Sequence, residues 1–196
     1  MSRWQQFFID EPELALVECS KCSKRATELF RKHNCKTILD LACGAGRESR
    51  FFSTSFPFVV SSDYSISGLR MASAKGNTNL ICSDARKLPF PNKSFDAVYC
   101  YGLLHEFIGN NAPENVRLVM SEIGRILKNN GLLILTVLCG DPVNGDPEIP
   151  NVQFFSDEMY FDATTGFECL EYFEYDDISC TGNPYYHIHY GAFVKS

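Results

Sequence analysis

The stretch TILDLACGAGRES, residues 37–49, decides the fold class, because an apolar run leads into a glycine-rich turn and then into a helical segment. The run 37–42 predicts a buried strand, and the small residues of the turn 43–46 allow a ligand to approach the backbone closely. The chain repeats this order of strand and helix, with further apolar runs at residues 58–63, 79–84, 95–101 and 132–138. Such alternation predicts an α/β protein with a doubly wound, mostly parallel sheet that is covered on both faces.

The segment after residue 150 departs from this alternation. Residues 156–166 predict a helix that begins after Ser156 as its cap and ends at Gly166. Two strands, 167–175 and 184–194, follow with a turn-rich link between them. Strands joined in this way form an antiparallel hairpin, so we expect the last strand to run against the others.

Capping and turn residues predict two further helix boundaries. Asp10 as a cap and Pro12 in the first turn predict a helix that runs from residue 10 to about residue 31. A second helix is predicted over residues 113–127, and the turn-forming sequence at 129–131 is expected to close it.

Length and charge exclude several classes of protein. The chain has 196 residues, which suits one domain, and its 18 basic and 24 acidic residues give a net charge of −6. This acidic balance argues against nucleic acid as the main partner. The longest apolar run, 132–139, is far shorter than the roughly 20 residues of a membrane-spanning helix. No secretion signal is visible in MSRWQQFFIDEPE, so we expect a cytoplasmic protein without a membrane partner.

Nine cysteines occur in the chain, an odd number. Four of them stand in apolar runs and are expected to be small buried residues of a reducing compartment: Cys82, Cys100, Cys139 and Cys169. The pair Cys19 and Cys22 falls inside the predicted first helix. Zinc sites need a second pair and redox pairs stand at a helix start after a strand, so we interpret this pair as structural or surface cysteines.

Functional side chains are concentrated where the predicted strands end. Asp40 precedes the glycine turn, Asp63 ends the second strand, and Tyr101 ends the fourth. Ligands of open α/β sheets bind at this edge, where a carboxylate can accept hydrogen bonds from a ribose diol. Asp84, or the N–H of Ala85, stands where an adenine edge would be recognised. Asp40 would provide a site for a cation, Asp63 a site for the diol, and Tyr101 an aromatic wall. Together with the site for the base at Asp84 or Ala85, this set fits S-adenosylmethionine.

A dinucleotide site is the main alternative, because GAGRES approaches the G-x-G-x-x-G/A fingerprint. Ser49 stands at the third glycine position, and Asp40 would repel a pyrophosphate. A nicotinamide-dependent oxidoreductase is therefore the less favoured enzyme. A third hypothesis is a module that binds S-adenosylmethionine without catalysis.

Four segments resemble the motifs of class I S-adenosylmethionine-dependent methyltransferases. ILDLACGAGRE resembles motif I, SSDYS motif II, CSDARKLPFPNKSFDAVYCYGLLHEF the third and fourth motifs, and EIGRILKNNGLLIL the segment after them. The resemblance covers residues 36–140 in order. It departs from the family at Ala42, where the family has its first glycine. More loosely, the tail resembles small-molecule methyltransferases of the tellurite-resistance and thiopurine type.

The resemblance implies a Rossmann-like seven-stranded sheet of order 3-2-1-4-5-7-6, with strand 7 antiparallel. It implies a single domain over residues 1–196, in which 1–35 form a helical cap, 36–140 the cofactor-binding core, and 141–196 the helix and hairpin of the acceptor side. It also implies the cofactor residues. Asp40, Ala42 and Gly44 would face the methionine part, Asp63 and Tyr64 of motif II the ribose, Asp84 and Ala85 the adenine, and Tyr101 the methionine amine through its backbone.

The acceptor is expected to be a small molecule, and two histidines are candidates for catalysis. His105, with Glu106, follows strand four and should lie near the sulfonium, unless it only caps a loop or bonds to backbone. His187 stands near the start of the antiparallel strand, with Tyr185 and Tyr186, and these are better candidates than His189. The alternative is a core strand with satisfied histidines.

Three aromatic residues near the N-terminus, Trp4, Phe7 and Phe8, allow two interpretations. They form a lid over the cofactor, or they pack onto the sheet edge, which is the plainer expectation.

Overall fold

The computed structural model describes residues 3–10, 19–141, 151–177 and 186–195. Its helices are α1 Arg3–Asp10, α2 Lys21–Lys32, α3 Arg47–Ser53, α4 Ile66–Ala74, α5 Ala112–Ile126 and α6 Asp157–Ala163. Its strands are β1 Thr37–Leu41, β2 Phe58–Asp63, β3 Leu80–Cys82, β4 Phe95–Tyr101, β5 Leu127–Leu138, β6 Phe167–Asp177 and β7 Tyr186–Lys195. A short 3-10 helix, Leu104–Glu106, follows β4. Among the residues described, no helix is long and apolar enough to cross a membrane.

The seven strands form one sheet in the order β3-β2-β1-β4-β5-β7-β6, as expected. Strands β1 to β5 pair in parallel, and β7 is antiparallel to both β5 and β6. The strand order reverses between β1 and β4, which lie side by side. In α/β proteins, ligands bind at the carboxyl ends of the strands, at the point where the strand order reverses. Here that point lies between β1 and β4.

Both faces of the central strands are buried. On one face, Ile38 of β1 and Tyr99 of β4 pack with Phe30 of α2 and Phe52 of α3. The neighbouring residue Leu39 belongs to the cluster on the opposite face. Because successive strand residues point to opposite faces, this two-sided burial explains why the central strands are nearly continuous apolar runs.

The prediction of one long first helix is wrong. Asp10 ends α1, and α2 begins at Lys21, where the Ser20 hydroxyl accepts a hydrogen bond from the N–H of Ser23. Residues 11–18 lie outside the described part of the chain. The pair Cys19 and Cys22 consequently spans the start of α2, with Cys19 before the helix and Cys22 in its first turn. Ser20 makes the better cap because its side chain reaches the helix N–H groups.

The turn sequence at 129–131 closes no helix, contrary to expectation. α5 ends at Ile126 and the chain passes directly into β5. The register shifts there from Phe95 opposite Leu127 to Ala97 opposite Leu132, and Asn130 has φ 59°. The left-handed residue thus forms an irregularity inside the strand, where it accommodates the extra residues.

The cysteines divide according to strand position. Cys100 on central β4 is buried as predicted, whereas Cys82 and Cys169 are exposed and Cys139 is partly exposed. The prediction is wrong for Cys82 and Cys169 because β3 and β6 are the edge strands of the sheet. The cysteines in the described ranges are all free thiols.

The predicted carboxyl-terminal elements are confirmed. The Ser156 hydroxyl accepts a hydrogen bond from the N–H of Met159 and caps α6, and Gly166 has φ 91° just beyond the helix. Strands β6 and β7 pair as an antiparallel hairpin.

Candidate cofactor and active site

A cavity of about 530 Å³ opens at the carboxyl ends of β1, β2, β3 and β4. Its size lies in the range of sites that bind a small molecule, roughly 300–1,000 Å³. All eight residues expected to bind the cofactor line this one cavity: Asp40, Ala42, Gly44, Asp63, Tyr64, Asp84, Ala85 and Tyr101. The separate strand ends of the sequence are therefore brought together in space.

The glycine turn is built from left-handed residues. Ala42 has φ 63°, Gly44 φ 52° and Gly46 φ 71°. A left-handed conformation costs a non-glycine residue on the order of 1–2 kcal/mol, so Ala42 occupies a position that suits glycine better. At Gly46, the N-cap of α3, a Cβ would lie 1.7 Å from the side-chain nitrogen of Asn77. Only glycine fits at that position.

Asp63 ties the end of β2 to the glycine turn. Its Oδ2 accepts a hydrogen bond of 2.8 Å from the Gly44 N–H, and its Oδ1 accepts one of 2.7 Å from the Ser65 N–H. Burial raises the pKa of this carboxyl group, and these backbone bonds oppose the rise. A carboxylate offers about four acceptor positions, so Asp63 could also accept a bond from a ribose diol.

Asp40 is the most deeply buried acid in the cavity wall, with 2% of its surface exposed. The Ser49 hydroxyl donates a hydrogen bond to it. Burial raises its pKa to about 7, with smaller contributions from the nearby carboxylates of Glu48 and Asp63. A positive charge in the cavity would favour its ionised form.

Arg47 and Glu48, at the start of α3, were not singled out from the sequence. They form an ion pair of 2.5 Å, and Glu48 is only 5% exposed. The Glu48 Oε1 accepts the N–H of Ser20, whereas its Oε2 has no hydrogen-bond partner among the described residues. The Arg47 guanidinium lies 5.5 Å from the ring centroid of Tyr101. Their position directly after the glycine turn, in the first turn of a helix, was the sequence signal that could have identified them as cavity residues.

Arg86 holds Asp84, and it was also missed. Its Nε lies 2.9 Å from one Asp84 oxygen and its NH2 group 2.6 Å from the other. These hydrogen bonds lower the pKa of Asp84. Arg86 also donates to Asn115 of α5. Asp84 therefore presents to the cavity a carboxylate that is ionised and fixed in orientation.

Helix α1 lies over the glycine turn and lines the cavity with Trp4, Phe7 and Phe8. The three rings pack on one another at centroid distances of 5.0–5.9 Å. A Cβ at Gly44 would lie 2.8 Å from Cζ of Phe8, and one at Gly68 would lie 3.0 Å from its Cε2. These contacts place the aromatic residues against the glycine turn and in the cavity wall, and a lid over the cofactor stays a prediction.

His105 lines the cavity and also bonds to backbone. Its Nδ1 accepts the N–H of Leu138 at 3.2 Å, and its Nε2 lies 3.7 Å from the Glu106 Oε1. A ring nitrogen that accepts an N–H carries no proton, so the neutral ring has its proton on Nε2, facing Glu106. His105 thus bonds to backbone and lines the cavity, and its position near a sulfonium stays a prediction.

His187 does not line the cavity. Its Nδ1 lies 3.0 Å from Asp176 and its Nε2 3.0 Å from Glu174, and the neighbouring Ile188 lines the cavity instead. Alternation along β7 sends His187 and His189 to the other face of the sheet. The expectation that His187 faces the acceptor is therefore not met. Tyr185 lies outside the described residues, as does the side chain of Tyr186.

Apolar residues complete the cavity beside His105. Val137 and Leu138 come from the end of β5, Ile188 from the start of β7, Phe107 follows the 3-10 helix, and Val152 precedes α6. They were not predicted, because these segments meet only in the folded chain. This wall is suited to excluding water from a bound ligand.

Similarity to known proteins covers the same region as the motifs. Residues 39–135 match the family model described as a methyltransferase domain. The chain is 29% identical over 144 residues to a demethylmenaquinone methyltransferase of Thermotoga maritima, a match that covers 72% of this chain and 56% of that protein. It spans between 34% and 56% of the length of the first curated relatives.

Two solved structures share the fold. One is an S-adenosylmethionine-dependent methyltransferase from Methanosarcina mazei, with a TM-score of 0.69, 20% identity and coverage of 81% of this chain and 92% of that chain. The other is TehB from Haemophilus influenzae, with a TM-score of 0.70, 18% identity and coverage of 89% and 61%. Motif order, sheet topology and sequence similarity agree, and the chain belongs to the class I S-adenosylmethionine-dependent methyltransferase family.

Proposed function

We propose that this protein transfers a methyl group from S-adenosylmethionine to a small-molecule acceptor. The observation that carries the proposal is the single cavity that joins the four strand ends to an apolar wall beside His105. In this proposal, residues 1–35 act as the cap, 36–140 bind the cofactor, and 141–196 form the acceptor side.

The charge of the cavity supports a cationic cofactor. Its wall contains more acidic than basic side chains: Asp40, Glu48, Asp63, Asp84 and Glu106 against Arg47 and Arg86. A pyrophosphate would be repelled by this set, whereas a sulfonium and an ammonium would be attracted. Asp40 is buried in this wall, and the Oε2 of Glu48 accepts no hydrogen bond among the described residues, although its Oε1 pairs with Arg47. The residues therefore fit S-adenosylmethionine better than a nicotinamide dinucleotide.

Individual contacts follow from the cavity lining. Asp40, Ala42 and Gly44 would hold the methionine part, and the carbonyl of Tyr101 would accept its ammonium group. Arg47, above the Tyr101 ring, would pair with the methionine carboxylate. Asp63 and Tyr64 would hold the ribose. Asp84 and the Ala85 N–H would hold the adenine.

When bound, S-adenosylmethionine supplies a methyl group on a sulfonium for in-line displacement. The chain aligns the acceptor with that methyl group and keeps water out, using the apolar wall formed by Val137, Leu138, Val152 and Ile188. His105 and Glu106 stand at this end of the cavity. Because the Nδ1 of His105 accepts the Leu138 N–H and its proton lies on Nε2, the group that can take up a proton from a hydroxyl or ammonium acceptor is the Glu106 carboxylate, which the ring orients. A thiolate acceptor requires no base.

The size of the cavity supports a small acceptor. Its volume of about 530 Å³ must accommodate both cofactor and acceptor. The apolar wall favours an apolar or soft acceptor over a strongly charged one. A relative named for demethylmenaquinone agrees with an apolar acceptor.

Calorimetric titration with S-adenosylhomocysteine and, separately, with NADH tests the cofactor. We expect S-adenosylhomocysteine to bind and NADH not to bind. Binding of NADH alone would favour the oxidoreductase. A mass-spectrometric screen for methylated products over thiol, phenol, quinone and amine acceptors then tests catalysis. Firm cofactor binding without any product would favour the non-catalytic module.

A further inference from the structure

A second cluster of chemically active side chains lies on the opposite side of β7 from Ile188. Donor atoms of Cys139, Glu174 and His187 all lie within 4.8 Å of one another. None of these residues lines the cofactor cavity. They come from three neighbouring strands, since Cys139 follows β5 directly and the other two lie on β6 and β7.

The sheet register brings these residues together. On the hairpin, Asp176 is opposite His187 and Glu174 is opposite His189. The Cys139 N–H donates a hydrogen bond of 2.9 Å to the carbonyl of His187, which sets Cys139 beside His187 on the other flank of β7. Residues paired directly across strands point to the same face, so thiol, imidazole and carboxylates form one patch.

The two ring nitrogens of His187 have different partners. Its Nε2 lies 3.0 Å from the Glu174 Oε2, and its Nδ1 lies 3.0 Å from the Asp176 Oδ1. Histidines that bind a metal through one nitrogen commonly donate the other N–H to a carboxylate, which fixes the tautomer. Here Nδ1–H can donate to Asp176, and an ion bound by Glu174 and Cys139 would take the place of the proton between Nε2 and Glu174.

The charge of the patch also points to a cation. Among the described residues, Glu174, Asp176 and Asp157 form ion pairs with the imidazoles of His187 and His189 and with no lysine or arginine. The Tyr172 hydroxyl also bonds to Asp157 and Glu174. Closely spaced carboxylates repel one another. A bound divalent ion would neutralise them.

His189 is a neighbour of the patch and not one of its ligands. It groups with Asp157 and Glu174 in space, but it is fully buried and both of its ring nitrogens are occupied. Its Nε2 lies 2.9 Å from the carbonyl of Phe155, and its Nδ1 lies 2.8 Å from the hydroxyl of Tyr172. Binding an ion would require breaking one of these contacts.

We propose that Cys139, Glu174 and His187 bind one divalent ion of the zinc class, with Asp176 orienting the imidazole. A thiolate, an imidazole and a carboxylate form a ligand set suited to Zn²⁺, whereas Mg²⁺ and Ca²⁺ prefer oxygen ligands alone. Binding replaces the proton of the Cys139 thiol by a metal–sulfur bond and releases that proton to solvent. A solvent molecule would complete the fourth position.

The site adjoins the acceptor wall without being part of it. Leu138 and Ile188, which line the cavity, are the chain neighbours of Cys139 and His187. A bound ion would cross-link the ends of β5, β6 and β7 just behind this wall. Its occupancy is independent of the proposed methyl transfer.

Metal titration of the full chain tests the site. After treatment with a chelator, we expect Zn²⁺ to bind with a stoichiometry of one in calorimetry. Co²⁺ should bind in its place and give a thiolate-to-cobalt absorption band in the near ultraviolet. Cys139→Ser should abolish the band, and Asp176→Asn should weaken Zn²⁺ affinity about 10–100-fold. His187→Ala should weaken it at least as much.

Matched controls come from residues of the same types outside the patch. The first control is Cys169→Ser, at an exposed cysteine on β6, and the second is His33→Ala, at an exposed histidine at the end of α2. Both variants should bind Zn²⁺ like the unchanged protein. Binding of S-adenosylhomocysteine shows that each variant is folded, and it separates failure of this site from failure of the cofactor proposal. Absence of Zn²⁺ binding, or equal affinity in all variants, overturns the proposal.

Discussion

The ring of Phe8 lies directly against the Cα of Gly44, close enough that a methyl group at that position would approach its Cζ to 2.8 Å. This contact joins helix α1 to the turn between β1 and α3, where the methionine part of the cofactor is proposed to bind. The aromatic side chains of α1 therefore cover the turn, where we expect them to act as a lid. Entry and exit of a cofactor would require α1 to move.

Removal of the Phe8 ring should open this lid. We expect Phe8→Ala to raise the dissociation rate of S-adenosylhomocysteine about tenfold, which corresponds to about 1.4 kcal/mol of lost contact. Stopped-flow displacement measures this rate. Ile9→Ala is the matched control, because Ile9 lies on the same helix, is 52% exposed and does not line the cavity. Equal rates in all three proteins would contradict a lid.

Asp63 is expected to contribute strongly to cofactor affinity. Asp63→Asn replaces a carboxylate that would accept the ribose hydroxyls, so the affinity for S-adenosylhomocysteine should fall by about 1–3 kcal/mol. Calorimetry measures the change. Asp162→Asn, an exposed change on α6, should leave the affinity unaltered. An unchanged affinity in Asp63→Asn would remove this residue from the ribose site.

Cofactor affinity should depend on pH through Asp40. Because burial raises the pKa of this carboxyl group to about 7, the free protein holds its proton below that pH. A cationic ligand favours the ionised form, so affinity should rise as the pH increases through about 7, with release of a proton on binding. Calorimetry in buffers of different ionisation enthalpy counts that proton.

Asp40 should also make the stability of the protein depend on pH, in the direction opposite to that of cofactor affinity. The folded protein binds this proton more tightly than the unfolded chain does. The free energy of unfolding of the cofactor-free protein should therefore gain from Asp40 at low pH and lose that gain as the pH rises from about 4 to about 7. Asp40→Asn should flatten both pH dependences, and a variant that keeps them would show that another group titrates.

Asp96 is expected to stabilise the amino end of β1 at neutral pH. Burial opposes its ionisation, but the hydrogen bonds from Lys128, from the N–H groups of Lys36 and Thr37, and from the Thr37 hydroxyl prevail and lower its pKa to about 2. This stabilisation is present above the pKa of the unfolded chain, near 4, and is lost as the pH falls through about 2.

Urea unfolding of Asp96→Asn measures this contribution. We expect a loss of about 1–2 kcal/mol at pH 7, a range already reduced for screening by solvent, and little difference from the unchanged protein near pH 2. Asp162→Asn again provides the control. A loss of the same size at both pH values would show that shape, and not charge, is responsible.

The sequence alone determined the fold class and the placement, on strand ends, of the residues that we expect to bind the cofactor. Buried strands must be apolar on both faces, and a tight turn must use small residues, so TILDLACGAG carries its structure locally. Asp40, Asp63 and Asp84 end or follow strands, and parallel strands end at one edge of a sheet. Their convergence on one cavity therefore followed from topology.

Helix boundaries near residue 10 and at 129–131 were predicted less well. Asp10 and Ser20 are both good caps, and local sequence does not decide which one a helix uses. Likewise, the asparagine and glycine residues at 129–131 suit a helix end and a strand irregularity equally well, and pairing with β4 selected the latter.

Only the tertiary structure decided which side chains meet from distant parts of the chain. The direction in which β7 pairs sends Ile188 to the cavity and His187 to the patch with Glu174 and Cys139. The position of Phe8 over Gly44 depends on how α1 packs, which no periodicity encodes. Local sequence specifies backbone conformation through short-range sterics and hydrogen bonding, whereas register and helix packing depend on the whole core, so these neighbours appear only once the chain is folded.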